Sequence, residues 1–162
     1  MTPRWVVRST FVLAAVAVAV SAYLTIAHYT SPHVLACPGS GAIDCAKVTS
    51  SAQSRFLGIP VALLGLVWSV AMVALCSPRA WGSSTRWIRP VRAVAVSIGM
   101  AFVLWLVFAE LVLVGAICVW CTTMHILTFA LFVLIVVFGY ARDPVEPEPI
   151  EEQASDATSA AG

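Results

Sequence analysis

Two pairs of cysteines carry the chemistry that this sequence offers. Cys118 and Cys121 form a Cys-x-x-Cys at the start of an apolar stretch, whereas Cys37 and Cys45 lie in a more polar segment with seven residues between them. Cysteine pairs of this kind pass electrons by thiolate attack on a disulfide. The same residues could instead hold zinc or form a structural disulfide, so the cellular compartment must decide between the readings.

The Cys-x-x-Cys opens a predicted helix, which puts both sulfurs on one face because residues three apart are neighbours there. The dipole of a helix start favours a thiolate at that position. His125 follows Cys121 by four residues, one turn deeper on the same face, and an ionisable group within a membrane span is a functional candidate. Glu110 precedes Cys118 by eight residues and is either a snorkelling or capping acid, or a proton carrier or polar anchor beside the cysteines.

Four apolar stretches must position these residues. Of the 162 residues, 60% are hydrophobic and 10% charged, which excludes an ordinary soluble domain. Stretches at about 9–28, 59–76, 93–114 and 118–140 approach the length of roughly 20 residues that a membrane-spanning helix needs. The sequence therefore predicts an all-α membrane protein, a bundle of four transmembrane helices with a long loop between helices 1 and 2.

The first stretch has a second interpretation. A basic start and small residues near position 21 are typical of a signal peptide, but its apolar run exceeds the usual ~7–15 residues and favours a retained helix.

The basic residues predict the orientation of the bundle, because short cytoplasmic loops are rich in arginine and lysine. Seven of the nine basic residues fall on one side of the four-helix alternation, and only Lys47 and Arg55 fall on the other. The seven are Arg4, Arg8, Arg79, Arg86, Arg89, Arg92 and Arg142. Both termini are predicted to be cytoplasmic, and the loop between helices 1 and 2 extracytoplasmic.

This orientation separates the cysteines by compartment. The two pairs lie on the extracytoplasmic side, where disulfides persist, and this favours redox chemistry over a metal site. Cys76 lies on the cytoplasmic side and is predicted to be a small buried or interfacial hydrophobic residue. Residues 1–142 are predicted to form one membrane domain, and residues 143–162 a disordered acidic cytoplasmic tail. No basic patch suggests a nucleic-acid partner.

Three segments, together with the hydropathy pattern over about 9–140, resemble the vitamin K epoxide reductase family, in its bacterial branch without a fused thioredoxin-like domain. The segments are AIDCAKVTSS at 42–51, FLGIPVAL at 56–63 and AICVWCTT at 116–123. The resemblance implies a four-helix bundle around a quinone, menaquinone or ubiquinone, in the bacterial inner membrane. It also implies that the thiol partner is a separate thioredoxin-like (DsbA-like) protein on the extracytoplasmic side.

The resemblance further implies roles for the cysteines. Cys37 would be attacked by the reduced partner, Cys45 would exchange with Cys118, and Cys121 would pass electrons to the quinone. The two redox-active disulfides would thus act in series. From the residues alone, four cysteines allow three pairings, and the pairing at rest stays open.

The resemblance also places polar residues near the quinone. Ser51 matches the family's quinone-proximal serine, with neighbouring Ser50 as the alternative. His125 and Glu110 are further candidates for the quinone site. Ser54 is the nearest counterpart of an asparagine that human members place before the second helix. Some of four aromatic residues are expected to line the quinone pocket: Phe56, Trp105, Phe108 and Trp120.

The predicted function is that of a quinone-dependent thiol oxidoreductase that makes disulfides for its partner, without a metal. One alternative is a quinone or quinone-epoxide reductase as the main role. Another is a metal-binding membrane protein that uses the four cysteines and His33. A third is a structural membrane protein with stable disulfides. Quinone-linked oxidases of the DsbB type carry the Cys-x-x-Cys in the first outer loop, which argues against that class here.

Overall fold

The computed structural model describes residues 3–31, 35–37, 42–83 and 85–139. The chain is mostly helical, and its only regular strands within the described residues form one short hairpin. The helices are α1 Arg4–Thr30, α2 Cys45–Ser50, α3 Val61–Leu75, α4 Pro78–Trp81, α5 Ile88–Phe108 and α6 Val119–Val133, and the strands are β1 Arg55–Phe56 and β2 Ile59–Pro60. A 3₁₀ turn covers Ala52–Ser54, and π-helical turns extend α5 over Ala109–Val114 and α6 over Leu134–Phe138. The predicted tail at 143–162 and His33 lie outside the described residues.

Three helical segments among the described residues are long and apolar enough to cross a membrane. They are Arg4–Thr30 with 27 residues, Ile88–Val114 with 27 and Val119–Phe138 with 20. The chain is therefore a helical membrane protein. The fourth apolar helix, α3, has 15 residues and spans about 22 Å, short of the ~30 Å hydrocarbon layer. The span predicted at this place stays a prediction.

The start of α3 differs from the predicted one because residues 59 and 60 belong to the hairpin. β1 and β2 pair antiparallel across a tight turn at Leu57 and Gly58, whose φ angles are 54° and 84°. Turns with two positive φ angles suit the twist of a hairpin. Pro60 then ends the strand, and the helix begins at the next residue, Val61.

The start of α5 was predicted too late, at residue 93 instead of Ile88, because Arg92 was taken to lie in a loop. The Arg92 side chain is buried, its Nε donates to the Leu75 carbonyl at 2.9 Å, and its guanidinium lies 3.7 Å from the centre of the Trp81 ring. A charge with such partners is compatible with a helix. α1 likewise begins earlier than predicted, at Arg4. α6 was predicted over 118–140, but its first helical residue is Val119, and position 140 lies outside the described residues.

The four long helices pack around two hydrophobic clusters. α1 packs against α3 and α6, and α5 packs against α6 and α3. One cluster contains Cys45 and Cys118, and we call its end of the bundle the cysteine end. The other contains Cys76 and Leu131, and we call its end, where Arg92 lies, the arginine end. Cys76 is fully buried, which is the first of the two predicted alternatives, buried or interfacial.

Candidate active site

A short backbone pairing brings the loop cysteines to the start of α6. The Asp44 N–H donates to the Ile117 carbonyl at 3.1 Å, the Ile117 N–H donates to the Ala42 carbonyl at 2.9 Å, and these bonds form a parallel bridge. Cys45 follows directly and begins α2, whose cap is the Asp44 carboxylate. As a result, Cys45 and Cys118 lie in one cluster, with 2% and 0% of their surfaces exposed.

The structure contains one disulfide, which is half of one of the three pairings that the sequence left open. Cys37 and Cys45 form a disulfide with their Cα atoms 6.3 Å apart, whereas Cys118 and Cys121 are free thiols. Cys37 is only partly buried, whereas Cys45 is enclosed. Of the loop pair, Cys37 is thus the sulfur that an external protein could reach.

Cys118 caps α6 through its sulfur. The Cys121 N–H donates to Cys118 Sγ at 3.4 Å, and the Thr122 N–H donates to the Cys118 carbonyl at 2.9 Å. Cys118 lies just before the spanning segment Val119–Phe138. Its hydrogen bond with the Cys121 side chain lowers the pKa of the Cys118 thiol, and burial acts in the opposite direction. The direction of this shift is the one that the helix start predicts for a cysteine at this position.

Cys121 borders a cavity of about 480 Å³ between the helices at the cysteine end. This volume lies within the ~300–1,000 Å³ that is typical of ligand pockets. The hairpin and parts of α1, α3, α5 and α6 enclose the cavity, and its surface is largely apolar. Cys118 lies outside it, in the buried cluster that contains Cys45, whereas Cys121 packs against that cluster and also borders the cavity.

Glu110 and His125 also border this cavity, and both are more than 90% buried. The Glu110 side chain interacts with the Cys121 thiol. Glu110 lies in the π-helical turn that extends α5, and Gly115 ends this turn with a φ of 63°. Such turns occur often at functional sites. The sequence left Glu110 as a snorkelling or capping acid, or as a proton carrier or polar anchor; the structure buries it beside Cys121, and its role stays a prediction.

The structure separates the two neighbouring serines. Ser51 borders the cavity, and its hydroxyl donates to the Val48 carbonyl at 2.7 Å. Ser50 is exposed, donates to the Ala46 carbonyl at 2.7 Å and does not border the cavity. Ser54 borders it too.

The aromatic lining of the cavity includes one of the four residues among which it was expected. Of the four expected residues, only Phe56 borders the cavity; Trp105 and Phe108 are about half exposed and pack on each other, and Trp120 lies elsewhere. The aromatic residues that the sequence missed are Trp68 and Phe102.

The position of Trp68 is fixed by contacts with another helix that the sequence does not reveal. Its indole N–H donates to the Ala95 carbonyl at 2.9 Å, and a side-chain carbon at Gly99 would lie 2.5 Å from the ring. Gly99 therefore leaves room for the indole. Gln53, also missed, adds an amide to the cavity lining.

The described residues contain no group of three or more potential metal ligands from His, Cys, Asp and Glu. His33, which the metal alternative included, lies outside those residues.

The family model described as the vitamin K epoxide reductase family matches residues 9–136 of this chain. The match covers the helices, the loop cysteines and the Cys-x-x-Cys.

Proposed function

The chain belongs to the vitamin K epoxide reductase family, and on that basis we propose that it is a quinone-dependent thiol oxidoreductase that makes disulfides for a separate thioredoxin-like (DsbA-like) protein. One observation carries the proposal. Cys118 shares a buried cluster with Cys45, whereas Cys121 faces the cavity. A motif with one sulfur toward a shuttle disulfide and the other toward a ligand cavity can connect the two.

The electron route begins at the loop pair. A thiolate of the reduced partner attacks Cys37 and breaks the Cys37–Cys45 disulfide, and the partner's second thiolate resolves the mixed disulfide. The partner leaves oxidised, and Cys37 and Cys45 become thiols. The partial exposure of Cys37 supports its role as the sulfur attacked.

The second exchange returns the loop to its oxidised state. With Cys118 and Cys121 oxidised, the Cys45 thiolate attacks Cys118, and Cys121 leaves as a thiolate. Cys37 then attacks Cys45, re-forms the loop disulfide and releases Cys118. The outcome is a loop disulfide with two free thiols at 118 and 121, which is the arrangement in the structure.

A quinone accepts two electrons and two protons, and the residues around the cavity fit such a ligand. Its apolar surface suits a lipid-soluble ring, and the polar groups of Ser51 and Gln53 can donate to carbonyl oxygens. Ser51 would donate to the acceptor in place of its present bond to Val48. Whether the acceptor is menaquinone or ubiquinone is an outcome of the test below.

Glu110 and His125 are proposed to handle protons. The thiolate is the reactive form of Cys121, so its proton must move to a nearby base. The Glu110 side chain interacts with that thiol, and His125 borders the same cavity. We assign Glu110 the role of proton acceptor from Cys121 and His125 that of a polar neighbour of the ligand.

The membrane placement completes the proposal. We propose that α3 is a fourth span, with the apolar hairpin adding to its short length, and that residues 1–142 form one domain in the bacterial inner membrane. Both termini and the tail 143–162 would then be cytoplasmic. Arg92 at one end and the cysteines at the other support this orientation.

Quinol formation by the purified protein tests the function. With dithiothreitol as reductant and a short-tailed menaquinone or ubiquinone as acceptor, we expect protein-dependent quinol formation and disulfides that the reductant removes. Bound zinc in stoichiometric amount, with disulfides absent, would instead identify a metal-binding protein. Stable disulfides that neither quinone re-forms after reduction would identify a structural one.

A trapping experiment tests the partner. In a Cys45→Ala variant, the Cys37 thiolate attacks the disulfide of the oxidised partner, and the partner's second sulfur leaves as a thiolate. Cys45 is absent and cannot displace the partner, so we expect Cys37 to retain it as a mixed disulfide. Capture of a protein with a thioredoxin-like Cys-x-x-Cys supports the proposal. Capture that persists in a Cys37→Ala, Cys45→Ala double variant would contradict the role of Cys37.

A further inference from the structure

The backbone of Ala36, directly before Cys37, is held by two side chains from different helices. The Ala36 N–H donates to the Tyr23 hydroxyl at 3.1 Å, and the Trp120 indole N–H donates to the Ala36 carbonyl at 3.2 Å. Tyr23 belongs to α1, and Trp120 belongs to α6. Both polar groups of one loop residue are thereby fixed to the helix bundle.

The two holding side chains also contact each other. The rings of Tyr23 and Trp120 meet edge to face, with their centres 4.7 Å apart. Both pack against the cluster that contains Cys45 and Cys118, and the loop residue Leu35 is 6% exposed within the same cluster. Ring packing restricts the positions of both hydrogen-bonding atoms, so the pair presents a fixed donor and a fixed acceptor.

Trp120 lies within the Cys-x-x-Cys itself, between Cys118 and Cys121. The residue that holds the loop is therefore part of the motif that exchanges disulfides with it. The bonds at Ala36 fix the loop one residue before Cys37, and the preceding residue, Leu35, lies in the same buried cluster as Cys45 and Cys118. The clamp therefore holds this part of the loop beside Cys118 whether or not the Cys37–Cys45 disulfide is formed.

We propose that Tyr23 and Trp120 form a clamp on Ala36 that positions the loop cysteines for exchange with Cys118. This inference rests on the proposed function, and it assigns positioning roles to two residues that take no part in the bond changes. The clamp raises the effective concentration of Cys45 at Cys118. It thereby favours the Cys45–Cys118 intermediate over the separated loop thiol and Cys118–Cys121 disulfide.

The equilibrium between the Cys45–Cys118 and Cys118–Cys121 disulfides in a Cys37→Ala variant measures this effect. In Cys37→Ala, the reduced protein is treated with a short-tailed menaquinone, which oxidises Cys118 and Cys121 and becomes the quinol. The Cys45 thiolate then attacks Cys118, the Cys45–Cys118 bond forms, and Cys121 leaves as a thiolate that takes up a proton. The final attack by residue 37 is absent, so the two disulfides equilibrate without net electron transfer. Acid quenching, alkylation and peptide mass spectrometry give their ratio.

Two substitutions, each made in the Cys37→Ala background, remove one hydrogen bond to Ala36 each. Tyr23→Phe removes the hydroxyl and keeps the ring, and Trp120→Phe removes the indole N–H and keeps an aromatic side chain. For each, we expect the ratio of Cys45–Cys118 to Cys118–Cys121 disulfide to fall about fivefold, the size expected for one hydrogen bond. Matched controls are Tyr29→Phe and Trp105→Phe, at exposed aromatic residues outside the clamp, and their ratio should not change.

The outcomes separate the clamp from the function on which it rests. Suppose that quinol and the Cys118–Cys121 disulfide both form, but the ratio of the Cys45–Cys118 to the Cys118–Cys121 disulfide is unchanged in both clamp variants. That result would overturn the clamp alone. Absence of any Cys118–Cys121 disulfide after quinone treatment would overturn the proposed function, and the clamp with it. A fall in the ratio equal to that in the control variants would also contradict the clamp.

Discussion

The two ends of the bundle contain similar residues in different settings. The arginine end combines Cys76, the ionisable Arg92 and the aromatic Trp81. Cys76 is fully buried there. The Arg92 Nε donates to the Leu75 carbonyl, and the Arg92 guanidinium lies over the Trp81 ring. These contacts tie α3, α4 and α5 together, which is a structural role.

The cysteine end also combines cysteines, a buried ionisable residue and a tryptophan, but these face a cavity and a second cysteine pair. Cys121 and Glu110 border the cavity, and Cys118 lies in the same buried cluster as Cys45. The comparison teaches that a buried charge beside a cysteine does not identify a redox site. Access for a ligand and a second thiol pair distinguish the two ends.

The largest contrast should come from removing one cysteine at each end. Cys121→Ala removes the sulfur that faces the cavity, so quinone-dependent oxidation of dithiothreitol should fall to the rate without protein. Cys76→Ala should retain turnover within about twofold, because Cys76 only packs. Rates of quinol formation measure both. Full activity of Cys121→Ala would contradict the mechanism.

Glu110→Gln should lower turnover about tenfold, which is less than the ~100-fold or larger contribution that is typical of a general base. The amide keeps the size of the side chain but cannot take the Cys121 proton. Because hydroxide can replace the lost base, the ratio of wild-type to variant rates should shrink as the pH rises. If the ratio of wild-type to variant rates is the same from about pH 6.5 to about pH 9, Glu110 has a structural role, like that of Arg92, and does not accept the Cys121 proton.

Ser51→Ala should raise the KM for the short-tailed quinone about threefold, the size of one lost hydrogen bond. Ser50→Ala is the matched control, because Ser50 is exposed away from the cavity, and its KM should not change. Equal effects of both substitutions on the KM would remove Ser51 from the quinone site.

The smallest effect on turnover is expected at the arginine end. Arg92→Lys loses the planar stack on Trp81 and the bond to Leu75, so the unfolding free energy should fall by about 1–3 kcal/mol. Thermal unfolding in detergent measures this loss. Turnover of the folded variant should stay within about twofold, and a tenfold loss without destabilisation would show that the two ends are functionally coupled.

Much of the site was predictable from the sequence because the chemistry lies in cysteine types and spacing. The Cys-x-x-Cys at a helix start and the deeper position of His125 followed from helical periodicity alone. The buried state of Cys76 was one of two alternatives, buried or interfacial, that its place at the cytoplasmic end of the second apolar stretch predicted.

Tertiary contacts explain what the sequence missed. The start of α5 depended on partners of Arg92 that come from α3 and α4, which no local pattern contains. Trp68 reaches the cavity because Gly99 on another helix leaves room for its ring. The place of Cys45 in the same buried cluster as Cys118 depends on a single backbone bridge at Ile117, which is too short to be recognised as a strand.

The most direct test of the account counts the quinol that the fully reduced protein forms under anaerobic conditions. With excess short-tailed menaquinone and no other reductant, the wild-type chain should yield about two quinols per protein, since each of two thiol pairs gives two electrons. The Cys37→Ala, Cys45→Ala variant should yield about one, and the Cys118→Ala, Cys121→Ala variant none above background. A loop pair that still reduces the quinone without Cys118 and Cys121 would contradict the proposed order of electron transfer.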